Sequence, residues 1–144
     1  MMIRVLVADD HTVLRDGLRY LLEAQGDIQI VGMAANGQEA VDQASVSCPD
    51  VILMDISMPV MNGIEATRHI CRICSNTKVA ILSMHHTAEY MQRALEAGAV
   101  GYLLKDSAGA ELVAAIRAIH GGKRYLSQQV AKSLGENSLW RSGN

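Results

Sequence analysis

The feature that most constrains this chain is an alternation repeated five times. Short apolar runs rich in β-branched residues occur at Ile3–Ala8, Ile28–Ala34, Val51–Met54, Val79–Leu82 and Val100–Leu104. Between them lie longer stretches in which apolar residues recur at steps of three and four. In the first of these, Leu14, Leu18, Leu21 and Leu22 share a face while Arg15, Asp16, Arg19 and Glu23 lie on others. The short runs have the length and composition of strands, and the longer ones have the period of helices. "VILM" is apolar at every position, as suits a strand buried on both faces. Strand and helix in regular succession imply right-handed crossovers and a parallel sheet covered by helices. Asn36 before "GQEAVDQA" and Asn62 before "GIEATRHI" are expected N-caps, and Gly121-Gly122 stops the last helix. Strand order is not contained in the periodicity.

Composition narrows the function classes. The 144 residues, 49% of them hydrophobic, suffice for one domain with a proper core. A net charge of −2 offers no basic field for nucleic acid or an anionic membrane. Phe is absent and aromatics make up 3%, so there is no platform for stacking bases, and the eight methionines are expected as core filling. "MMIRVLVADD" is too short and too soon acidic for a signal peptide, and no run approaches the length of a membrane span. Cys48, Cys71 and Cys74 cannot all pair, and without a secretory signal they favour a reducing cytoplasm. Cys71 and Cys74 spell C-x-x-C beside His69, yet no second ligand pair exists, so a packing role on one helix face is expected.

The chemistry lies where the strands end, since ligands of parallel α/β sheets gather at the carboxyl edge. "VLVADDH" runs a strand into Asp9 and Asp10, "DVILMDISMPVMNG" ends one in Asp55, "VAILSMHH" in Ser83 and "GYLLKD" in Lys105. One Asp alone would read as a helix cap. Three carboxylates, a hydroxyl and an ammonium converging on one edge read differently. Mg²⁺ takes hard oxygen ligands, and a metal held by Asp9, Asp10 and Asp55 relieves their mutual repulsion. Asp55 is then placed as a nucleophile towards a phosphoryl group, with Lys105 and Ser83 for its oxygens.

This set of motifs resembles the receiver domain of two-component response regulators over about residues 2 to 122. The resemblance implies a flavodoxin-like, doubly wound (βα)5 fold with a five-stranded parallel sheet in the order 2-1-3-4-5. It further implies Asp55 as phosphoacceptor, and Mg²⁺ bound by Asp9, Asp10, Asp55 and the backbone carbonyl of Ser57. Ser83 and Tyr102 would be the switch pair and Lys105 the phosphate-sensing lysine. Phosphorylation would draw Ser83 and Lys105 inward, with Tyr102 repacking. "GYLLKDS", "ELVAAIRAIHGGKRYLS" and "VAKSL" are similar to the NarL/FixJ group, whose members carry a C-terminal LuxR-type helix-turn-helix. Asp106 stands where many receivers have Pro after the lysine, so the geometry of Lys-Pro receivers does not carry over.

Residues 1–122 are expected to form the receiver, and 123–144 a short helix in "RYLSQQVAKSL" followed by a linker towards a helix-turn-helix outside this chain. The implied partners are a sensor histidine kinase, that DNA-binding domain, and a second copy on phosphorylation. DNA would be reached only through the missing domain, and no membrane is involved. Position near the site suggests that Ser57 and His85 tune hydrolysis of the aspartyl phosphate. A phosphatase of the haloacid-dehalogenase type is the rival, but its D-x-D signature is broken by Ser57 in "DIS". A stand-alone receiver acting through protein partners is the third reading. The leading one is a signalling phosphoacceptor and not a turnover enzyme.

Overall fold

The computed structural model describes residues 2–84, 87–106 and 109–127. The five apolar runs become β1 (Ile3–Ala8), β2 (Ile28–Ala34), β3 (Val51–Asp55), β4 (Lys78–Ser83) and β5 (Gly101–Leu104). The amphipathic stretches become α1 (Thr12–Glu23), α2 (Gly37–Ser47), α3 (Gly63–Ile73), α4 (Ala88–Ala97) and α5 (Gly109–His120). All strand pairs are parallel, in the order β2-β1-β3-β4-β5, extended at one edge by a sixth strand, β6 (Tyr125–Leu126).

That sixth strand departs from the expected five. Tyr125 and Leu126 pair with Gly101 and Tyr102 instead of opening a helix. Two residues are too few to show any period, so pattern alone could not reveal them. The remainder of the expected helix and linker, from residue 128 on, lies outside the described residues.

Alternation along each strand divides the core in two. Leu6, Ile52, Met54, Ile81, Tyr102 and Leu104 pack under α2, α3 and α4, against Ala40, Ala44, Ile64, Ile70, Met91 and Ala94. Val5, Val7, Leu53, Leu82 and Leu103 face α1 and α5, meeting Leu18, Leu22, Leu112, Ile116 and Ile119. Each buried Leu, Ile, Val or Met among them contributes about 1.5–3 kcal/mol by leaving water. The sheet is therefore a rigid plate, which fixes whatever stands at its edges.

Both predicted asparagine caps form. Asn36 Oδ1 accepts from the Glu39 N–H at 2.8 Å, and Asn62 Oδ1 from the Glu65 N–H at 2.9 Å. The cysteines depart from expectation. Cys74 caps the C-terminus of α3 and Cys48 that of α2; their Cα atoms lie 5.6 Å apart and the two are joined as a disulfide. Cys71 remains a thiol that donates to the Gly98 carbonyl. Within one helix Cys71 and Cys74 read as packing residues, whereas the bond that forms joins Cys74 to Cys48 across two helix ends. Among the described residues no helix is long and apolar enough to cross a membrane.

Candidate functional site

Three strands deliver the charged groups. Asp9 follows β1, where its N–H donates to the Ala34 carbonyl at 3.0 Å, and its side chain is fully buried. Asp55 is the last residue of β3, 1% exposed. Lys105 follows β5, its N–H donating to the Ser83 carbonyl at 2.9 Å. The Lys105 ammonium lies 3.1 Å from Asp9 Oδ2 and 2.9 Å from Asp55 Oδ2. The structure thus brings Asp9, Asp55 and Lys105 together as the strand ends predict, with Asp10 beside them and exposed.

The loop after β3 is tightly specified. Gly63 opens α3 against the backbone of Asp55, where a Cβ would collide with the Asp55 carbonyl oxygen. Its N–H donates to Ile56 O at 2.9 Å. Between them Val60 has φ 71°, a left-handed conformation rare for a β-branched residue, and the Met61 N–H closes on Pro59 O at 2.7 Å. Ser57 is exposed and donates its backbone N–H to Asp55 Oδ1 at 3.2 Å.

Charge at this edge is strained. Asp9 Oδ2 and Asp55 Oδ2 are buried and accept no well-directed hydrogen bond; the ammonium approaches both only as an ion pair. Burial pushes the Asp55 carboxyl up to about 6, with the Asp9 charge adding to the rise and Lys105 opposing it. For Lys105, burial works against the charge, yet the Asp55 and Asp9 contacts outweigh it and raise its pKa above the ordinary value. Two carboxylates sharing one cation are under-neutralised, which is the condition a divalent ion answers. The orphaned buried oxygens and hard donor set fit Mg²⁺.

Ser83 ends β4 and is buried. Tyr102 is fully buried; burial raises its phenol pKa, and a hydrogen bond with Ser83 opposes the rise. Ser83, Tyr102 and the Lys105 side chain all lie inward in this structure. His85 lies outside the described residues.

Two participants escaped the sequence reading. Arg15 Nη1 donates to the Asp9 carbonyl at 2.8 Å, tying α1 to the end of β1. His11 turns its Nδ1 into the cluster, 3.0 Å from Asp9 Oδ1, 3.3 Å from Asp10 Oδ1 and 3.0 Å from Lys105 Nζ. Only its place in "ADDH" could have drawn attention to it.

The family profile of the response regulator receiver domain matches residues 5–117. Transcriptional regulatory protein LiaR of Bacillus subtilis is 46% identical over 145 residues, an alignment covering 96% of this chain and 69% of LiaR. Response regulator UvrY of Escherichia coli is 41% identical, with 92% of this chain and 61% of UvrY covered. This chain thus spans about two thirds of the length of such relatives. A LuxR-family two-component response regulator from Aurantimonas sp. SI85-9A1 superposes with a TM-score of 0.88 at 38% identity, over 93% of this chain and 96% of that one. The signal receiver domain of the putative response regulator NarL from Mycobacterium tuberculosis gives 0.80 at 35%, over 85% and 98%. On these grounds the chain belongs to the response regulator receiver domains, among those of the LuxR/NarL type.

Proposed function

We propose that this receiver takes a phosphoryl group from a sensor histidine kinase onto Asp55 and relays its arrival to an attached LuxR-type DNA-binding domain, so controlling transcription in the cytoplasm. One observation carries the assignment of Asp55. It is the buried carboxylate at the end of the central strand β3 whose Oδ2 lacks a directed hydrogen bond and meets Lys105 at 2.9 Å. Asp55 forms a bond to phosphorus as the bond to the donor histidine breaks. Asp9, Asp10, Asp55 and the Ser57 carbonyl would hold Mg²⁺, which supplies charge neutralisation for the incoming phosphoryl oxygens. Lys105 places its ammonium for one of those oxygens and Ser83 its hydroxyl for another. The hydrogen bond between Ser83 and Tyr102 then ties the state of the site to the packing of β5. On this reading residues 1–122 form the receiver, Ser57 and His85 set the lifetime of the aspartyl phosphate, and the phosphorylated domain favours a dimer.

Intact mass spectrometry after incubation with acetyl phosphate tests the assignment. One phosphoryl adduct that requires Mg²⁺ and is absent in Asp55→Asn is the expected outcome. An adduct that persists in Asp55→Asn, or none in either protein, would move the acceptor elsewhere or remove it.

A further inference from the structure

His11 is the unexplained member of the cluster. It is the N-cap residue of α1, but its side chain makes no capping hydrogen bond. Instead Nδ1 points at three charged groups, and one nitrogen cannot serve them all. A proton on Nδ1 suits Asp9 Oδ1 and repels the Lys105 ammonium; a lone pair suits the ammonium and repels the carboxylate. A cation seated among Asp9, Asp10 and Asp55 resolves this conflict, because carboxylate oxygens and an imidazole lone pair then all face positive charge. The ligand atoms of these four residues lie within 4.8 Å of one another, close enough to share one ion.

The identity of the added donor matters. Carboxylate, carbonyl and water suit Mg²⁺ and Mn²⁺ alike, whereas imidazole nitrogen is a borderline donor that first-row transition ions accept and Mg²⁺ does not favour. Resting on the cation reading above, we infer that His11 is the selectivity residue of this site. Its Nδ1 ligates a first-row transition cation such as Mn²⁺ and biases the receiver towards that ion over Mg²⁺. The bias belongs to residues that carry "DDH", and would be absent where an apolar side chain follows the two aspartates.

Mn²⁺ is the probe of choice, being paramagnetic and weakly held by cysteine thiols. Its affinity is read from the loss of the free-ion electron paramagnetic resonance signal, and that of Mg²⁺ from competition. Wild type, His11→Ala and His11→Gln are compared over the same 144 residues. The side chain of His11 is 62% exposed, so neither change opens a core cavity. The expected result is Mn²⁺ binding weakened about tenfold in both variants with Mg²⁺ binding changed less than about twofold. Pulsed resonance should also show a nitrogen coupling to Mn²⁺ in wild type that both variants lose. An unchanged Mn²⁺/Mg²⁺ ratio without nitrogen coupling overturns the inference and leaves the cation site standing. Binding of neither ion to wild type overturns both.

Discussion

At the amino edge of the sheet, Arg4 donates its backbone N–H to Asp50 Oδ2 at 2.8 Å, and its guanidinium to the carbonyls of Ser47 and Cys48 at 2.9 and 3.2 Å. Thr77 Oγ1 donates to Pro49 O at 2.6 Å, and the Cys48–Cys74 bond joins the neighbouring helix ends. At the carboxyl edge β1 and β3, which begin in that well-satisfied setting, deliver Asp9 and Asp55 with buried Oδ2 atoms sharing one ammonium. One plate thus has an edge where polar groups find directed partners and an edge where two of them do not. Unsatisfied buried charge is rare and costly, so it persists only where the surrounding structure enforces it. Here the enforcement comes from the satisfied end and the two apolar layers, and the strained end is where a ligand has most to offer.

Breaking the disulfide should weaken the quiet edge most. Closing a loop of 26 residues is worth about 3–4 kcal/mol, so urea unfolding of wild type with and without reductant should differ by that order. Cys48→Ser, at an exposed position, should match the reduced protein and show no response to reductant.

The strained edge should respond in the opposite direction. Asp55 has its folded pKa raised from 3.8 to about 6, so the folded state holds the proton more tightly than the unfolded one. Its contribution to folding is complete below about pH 4 and is lost as pH rises to about 6. Asp55→Asn should therefore stabilise the protein by about 1–2 kcal/mol at pH 7 and flatten that part of the stability profile. A destabilised Asn variant would mean that pairing with Lys105 outweighs burial. The smallest effect belongs to Arg4→Ala, which frees two carbonyls at the end of α2 and should cost about 1 kcal/mol in the same unfolding assay.

Legibility in the sequence divides along the same line. Strands buried on both faces announce themselves because every residue of "VILM" must be apolar, and Asn36 and Asn62 because a cap needs a short polar side chain at one position. Strand-end carboxylates stand out against apolar runs, so Asp9, Asp55 and Lys105 were within reach. Features made by proximity were not. Cys48 and Cys74 are 26 residues apart, and nothing in their spacing says that α2 and α3 end side by side. Val60 takes a left-handed conformation against its own propensity because the loop must return from Asp55 to Gly63. His11 gains its meaning from groups that only the fold gathers, among them Lys105, 94 residues away.

The sixth strand carries a mechanical consequence. Tyr125 and Leu126 lie alongside Gly101 and Tyr102, and the Ser127 N–H donates to the Tyr102 carbonyl at 3.1 Å. Residues 125–127 are therefore spliced to the backbone of β5, the strand that leads into Lys105. A displacement of that strand needs no relay through the hydrophobic interior to be felt by a segment attached beyond residue 127. β5 and residues 125–127 ride on one rail, fastened by the Tyr125 N–H on the Val100 carbonyl at 3.0 Å and the Ser127 N–H on the Tyr102 carbonyl at 3.1 Å.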